Sequence, residues 1–100
     1  MPKPLEWPIT TFVHTAPVIG AASTLALAAN VLRQYVCLVN DGTESIYLKI
    51  GAAAVLNEGI PLNAGGGSYE MSQSLDNLNG DAINAICASG GMVLCVTEGV

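Results

Sequence analysis

The side chains able to do chemistry are few, and their spacing assembles nothing. The single histidine, His14, stands in Thr11-Phe12-Val13-His14-Thr15, and the three cysteines, Cys37, Cys87 and Cys95, stand in apolar runs. Zinc ligands come in closely spaced pairs, and these four residues show no such spacing. The eight acids, Glu6, Asp41, Glu44, Glu58, Glu70, Asp76, Asp81 and Glu98, fall singly along the chain. Asp76-Asn77-Leu78-Asn79-Gly80-Asp81 is the nearest approach to a calcium loop, but it lacks the alternating ligand order and the closing Glu. Gly65-Gly66-Gly67 is followed by no Gly-Lys-Ser/Thr, so a flexible turn is a better reading than a phosphate cradle. No Gly-x-Ser-x-Gly elbow is present. A lone histidine in a Thr/Val/Phe run is more often structural than catalytic. The residues therefore lead to the expectation of a protein that is not an enzyme, with no catalytic, cofactor-binding or metal-binding residue.

The charge pattern narrows the partners. Net charge is −5, and only Lys3, Arg33 and Lys49 are basic. Phosphate contacts need clustered Lys and Arg, so neither nucleic acid nor an anionic membrane surface is expected as a partner. Three cysteines are too few and of the wrong parity for a disulfide framework. Buried free thiols in a chain made in a reducing cytosol are expected. Thr15 to Leu32 carries no charge, but Pro17, Gly20, Ser23, Thr24 and Asn30 make it a poor membrane span. Glu6 beside a single Lys3 makes a poor signal-peptide start, so no targeting segment is read.

Composition bears on assembly. Hydrophobic residues are 51% of the chain and charged residues 11%, against about 25% charged in ordinary soluble domains. A chain of 100 residues has a modest core. Some of this apolar surface is expected to meet another subunit, because charge depletion marks interface cores.

The elements that must position these residues read as strands. Gln34 to Gly51 looks like a hairpin: Tyr35 to Val39, a turn at Asn40-Asp41-Gly42, then Ile46 to Ile50. Ile46, Leu48 and Ile50 alternate with Tyr47 and Lys49. Tyr35 to Val39 shows no such alternation, which predicts burial on both faces or cover by a partner. Ile9 to Thr15 is rich in β-branched residues and is broken by Ala16-Pro17. Ser23 to Ala29 suits a strand better than the alternative helix. Gly51 to Gly59 is a loop, and Ile60-Pro61-Leu62 is an edge strand because Pro61 cannot donate to a ladder. Tyr69 and Met71 share a face, as do Met92, Leu94 and Val96. The strands Ala82 to Ala88 and Met92 to Thr97 read as a final hairpin that sets Cys87 opposite Cys95. These two are nonetheless expected to stay reduced, since mid-ladder geometry suits a disulfide poorly.

Seven or eight short strands predict an all-β, antiparallel β-sandwich or jelly-roll-like barrel. Before it runs an extended Pro-rich N-terminal arm, with Pro2, Pro4 and Pro8 in eight residues. The expected division is 1–15 for the arm and first strand and 16–100 for the sandwich. Trp7, the only tryptophan, would either fold back or anchor the arm on a neighbour. Pro4, Trp7, Pro8 and Phe12 are the candidate interface residues.

Across Ser23 to Glu98 the chain resembles the small β-sandwich virion proteins of tailed bacteriophages. The resemblance lies in Arg33-x-Tyr35 leading into Val39-Asn40-Asp41-Gly42, then Ile46-Tyr47-Leu48-Lys49-Ile50-Gly51 and Ile60-x-Leu62-x-Ala64-Gly65-Gly66. Ser68-Tyr69-Glu70-Met71, Ala82-Ile83-Asn84-Ala85-Ile86 and Val93-x-Cys95-Val96-Thr97-Glu98 complete it. It implies a structural role, foremost a capsid decoration (cement) protein bound to the major capsid protein. It also implies a homotrimer, synthesis in the host cytoplasm and a final place on the capsid surface of the virion. A tail, neck or fibre component is the alternative, and a carbohydrate-binding or adhesion module is the alternative from another class.

Overall fold

A computed structural model of the chain describes residues 8–100. Among them there is no helix, and nine antiparallel strands form two sheets. In order these are β1 (Phe12–Thr15), β2 (Val18–Ile19), β3 (Thr24–Leu27), β4 (Tyr35–Asn40), β5 (Ile46–Ile50), β6 (Ile60–Leu62), β7 (Ser68–Ser72), β8 (Ile83–Cys87) and β9 (Met92–Gly99).

The chain behaves as one long hairpin rolled up on itself, with the loop after β5 at its apex. β5 pairs with β6, β4 with β7, β3 with β8, and β1 and β2 both with β9. Successive pairs fall alternately into the two sheets, giving β1-β9-β4-β7 with β2 also on β9, packed over β3-β8-β5-β6. This is the jelly-roll order of an antiparallel β-sandwich. Nine segments occupy its eight places because Ala16-Pro17 divides the first strand into β1 and β2. Pro17 has no N–H, yet its carbonyl still accepts from Leu94 N at 3.0 Å.

The core lies between the sheets. Val36, Leu38, Leu94, Val96 and Met71 meet Ile46, Leu48, Ile83, Ala85 and Leu62, all at most 2% exposed. Ile46 and Leu48 point inward and Tyr47 outward, as the alternation predicts. β3 forms over Thr24–Leu27, and β6 is an edge strand.

Three expectations are corrected. β4 and β5 form no hairpin: β4 lies between β9 and β7, and β5 lies in the other sheet between β8 and β6. The Asn40-Asp41-Gly42 turn is real, with Gly42 N donating to Asn40 Oδ1 at 2.8 Å, but it carries the chain across the core. β8 and β9 likewise belong to different sheets. Cys87 stands opposite Ile46 and Cys95 opposite Val39, so the two thiols do not face each other. All three cysteines are free thiols. Only Cys87 is buried, its thiol directed at the Ile19 carbonyl at 3.2 Å; Cys37 is half-buried and Cys95 is exposed.

Buried polar side chains close both ends. Arg33 at one end and Asn40 at the other are 4% and 0% exposed. Near Asn40, Ser89 N donates to Glu44 Oε1 at 2.9 Å, and the hydrogen bonds to Ser89 hold the Glu44 carboxyl below its ordinary value.

Candidate interaction face

β4 does alternate, and its burial explains why the sequence hid this. Val36, Leu38 and Asn40 are buried; Tyr35, Cys37 and Val39 point away from the core and are half-buried. The outward residues of this strand are themselves mostly apolar. Register extends the face across the sheet: Val39 stands opposite Cys95, Cys37 opposite Thr97, and Tyr35 opposite Gly99. Beyond β9, Phe12 pairs with Gly99, His14 with Thr97 and Val18 with Val93. The outer face of the five-stranded sheet is therefore an apolar stripe from Val18 through Val93, Cys95 and Val39 to Tyr35 and Phe12. Phe12 and Val18 are 51% and 60% exposed.

The other sheet is dressed differently. The loop after β5 lies against its outer side, where Asn84 Nδ2 donates to Ala52 O at 2.7 Å and Ala54 N to Ser23 Oγ at 2.8 Å. Ala54 and Ile86 are buried there, outside the main core cluster. One face is covered by the chain's own loop. Among the described residues, the outer side of β4 and β9 is met only at its Gly99 end, by the incoming segment at Ile9.

The candidate interface residues divide. Pro4 and Trp7 lie outside the described residues. Pro8 is exposed, and its carbonyl accepts from Gln34 Nε2 at 3.2 Å. Phe12 sits on the bare face and meets the Tyr35 ring edge-on, centroids 6.3 Å apart. Ile9 lies over Gly99: a Cβ there would come within 2.9 Å of the Ile9 side chain and 3.1 Å of Phe12. Glycine at 99 thus lets the incoming chain lie flat on the sheet. Tyr35, Val39, Val93 and Cys95 were not singled out from sequence; their signal was the unbroken apolar run from Tyr35 to Val39.

Electrostatically the face is nearly neutral. Among the described residues the only cations are Arg33, bonded to Glu98 at 2.7 Å, and Lys49, 3.4 Å from Glu58. On the face itself His14 Nδ1 lies 3.0 Å from Thr97 Oγ1. The one carboxylate, Glu70, accepts from the Tyr35 hydroxyl at 2.5 Å. That hydrogen bond first, then burial, then nearby Cys37 push the Tyr35 phenol well above its ordinary 10.0. Its stabilising contribution is complete below pH 10, where the unfolded chain's phenol is protonated too. It falls as pH rises further, because the unfolded chain releases the proton first. Stability measured from pH 8 to pH 11 is expected to decline, and Tyr35→Phe to flatten the decline. An unchanged slope in the variant would remove Tyr35 as its source.

Within the described residues no group of three or more His, Cys, Asp or Glu side chains is placed to hold a metal ion. What the arrangement offers, among the described residues, is a largely apolar sheet face with no loop laid over its middle, beside the entry of the N-terminal segment. Comparison with protein-family profiles, with curated proteins and with solved structures finds no match.

Proposed function

We propose that this chain is a structural protein of a tailed-phage virion, foremost a capsid decoration protein that binds the major capsid protein and stabilises the head. The observation that carries the reading is the bare, nearly uncharged outer face of the five-stranded sheet. An exposed apolar patch of that kind marks a contact site. The jelly-roll sandwich and the likeness in strand and turn pattern to small virion proteins support the same reading. Copies that self-associate would multiply such contacts over a particle surface.

Two variants separate the parts of the surface. Val39→Asp puts a charge in the middle of the face without touching the core. It is expected to leave the melting temperature near that of the parent and to weaken binding to particles lacking this protein. Trp7→Ala is expected to weaken it by roughly 2 kcal/mol if the N-terminal segment provides a contact hot spot. Occupancy against concentration on such particles reads both. Failure to find the protein in purified virions by mass spectrometry would overturn the reading. A copy number matching the tail rather than the capsid shell would move it to the tail, neck or fibre.

A further inference from the structure

We infer that two copies of this chain join through the free edge of β1, in a two-fold antiparallel pair centred on Val13. The argument begins with the hydrogen bonds that β1 has already made. Thr11 N donates to Val100 O at 3.1 Å and Val100 N to Thr11 O at 3.0 Å, a closely spaced antiparallel pair. Six residues on, Leu94 N donates to Pro17 O. Antiparallel ladders alternate, so Val13 and Thr15 turn their backbone groups toward β9. Phe12 and His14 turn theirs away from it, to the open edge.

Each of the other three sheet edges is blunted. On β7 the outward groups include Glu70 O and Ser72 N. The Asn77 side chain takes both, at 2.9 and 3.0 Å, as a strand backbone would. On β6 the register with β5 leaves Pro61, which has no N–H, at the outward position. β3 is broken by a register shift between Leu25 and Leu27, and beside it Ser23 is held by the loop after β5. These are the devices by which sheets avoid pairing with strangers. Among the described residues, β1 has none of them within its own four residues, the Ala16-Pro17 break lying beyond it. Phe12–Thr15 contains no Pro, Lys or acid and is exposed along its whole length.

A second copy can occupy this edge because its outward groups meet their own copies in register. With the axis at Val13, Phe12 of each copy lies opposite His14 of the other. Each such pair exchanges two N–H···O=C bonds, so all four outward groups of the two copies' Phe12 and all four of their His14 form four hydrogen bonds. Val13, 49% exposed, meets its own mate at the axis. Charge points the same way. Each chain carries −5, yet β1 is uncharged, so two copies can meet here without setting acid against acid. The joined sheets also place the two bare faces side by side as one surface. The pairing stands whether or not the protein belongs to a particle. It builds a dimer, whereas the likeness to virion proteins leads to a trimer.

Sedimentation of the purified full chain at micromolar concentration decides. The expected result is a dimer, with the Phe12 and His14 amides protected from hydrogen exchange and losing protection on dilution. His14→Pro removes an N–H that the chain's own fold does not use. It is expected to weaken dimerisation about 100-fold, while the monomer loses only the exposed His14–Thr97 side-chain contact and its melting curve shifts little. Val13→Lys sets like charges together at the axis and should do the same; it serves as the reading if the proline variant fails to fold. A monomer, a trimer, or a dimer indifferent to both substitutions would overturn the proposal. Loss of the dimer with particle binding intact would leave the virion reading standing, and the reverse would leave the dimer standing.

Discussion

Arg33→Met is expected to destabilise the protein by about 3–5 kcal/mol, the cost of breaking a buried ion pair from one side. The Arg33 side chain is 0% exposed, and its Nε meets Glu98 Oε2 at 2.7 Å. Nη1 donates to Asn79 O at 2.7 Å and Asp81 O at 3.0 Å, and Nη2 donates to Ala28 O at 2.9 Å. One guanidinium thereby ties β9 to the loop after β3 and to the loop after β7. Methionine fills much of the volume but leaves a largely buried carboxylate and three carbonyls without this donor. Whole domains are stable by only about 5–15 kcal/mol, so the loss shows directly in a urea midpoint. Arg33→Lys should fall between, because an ammonium lacks the planar fork that reaches four acceptors at once. Adding Glu98→Gln to Arg33→Met should recover part of the loss. A parent-like midpoint for Arg33→Met would mean that the loops are held by something else.

Asn40→Ala is expected to cost about 3 kcal/mol, from three side-chain hydrogen bonds at about 1 kcal/mol each. Its Nδ2 donates to Glu44 O at 2.7 Å and Leu62 O at 2.9 Å, and its Oδ1 accepts from Gly42 N. The residue is 0% exposed, so water does not replace what is lost. Asn40→Asp should be worse still at neutral pH, since a buried carboxylate would face two carbonyl oxygens. Protonation would restore a donor, so that variant should gain stability relative to the parent as pH falls. Thermal unfolding at pH 5 and pH 7 tests both. An Asp variant as stable as the parent at pH 7 would show that this end of the sandwich is open to solvent.

Arg33 was legible only as one of three cations, and Asn40 only as a turn residue. Neither role follows from sequence neighbours alone, because some partners of each lie far along the chain: Glu98 and the Asn79 carbonyl for one, the Leu62 carbonyl for the other. The candidate face was half legible. Phe12 could be named from its strand-like, aromatic character. Val39 and Cys95 could not, because an outward apolar residue has the same one-letter pattern as an inward one.

By itself the sequence determined the all-β class, the antiparallel sandwich, most strand positions and the inward side of β5, β7 and β9. Those follow from local chemistry: branched and aromatic residues favour extended backbone, Gly, Asn and Pro end it, and side chains alternate at every step. Tertiary structure alone decided which strands pair. A short turn after β4 and another after β8 suggested hairpins, but each instead crosses from one sheet to the other. The reason is energetic. Pairing β4 with β5 in one sheet would set apolar rows side by side. Placing them in opposite sheets sets Val36 and Leu38 against the core that Ile46 and Leu48 also fill, which removes more apolar surface from water. That burial depends on residues up to β9, and no local window contains it. The same long-range choice left the outer side of β4 and β9 without a covering loop among the described residues.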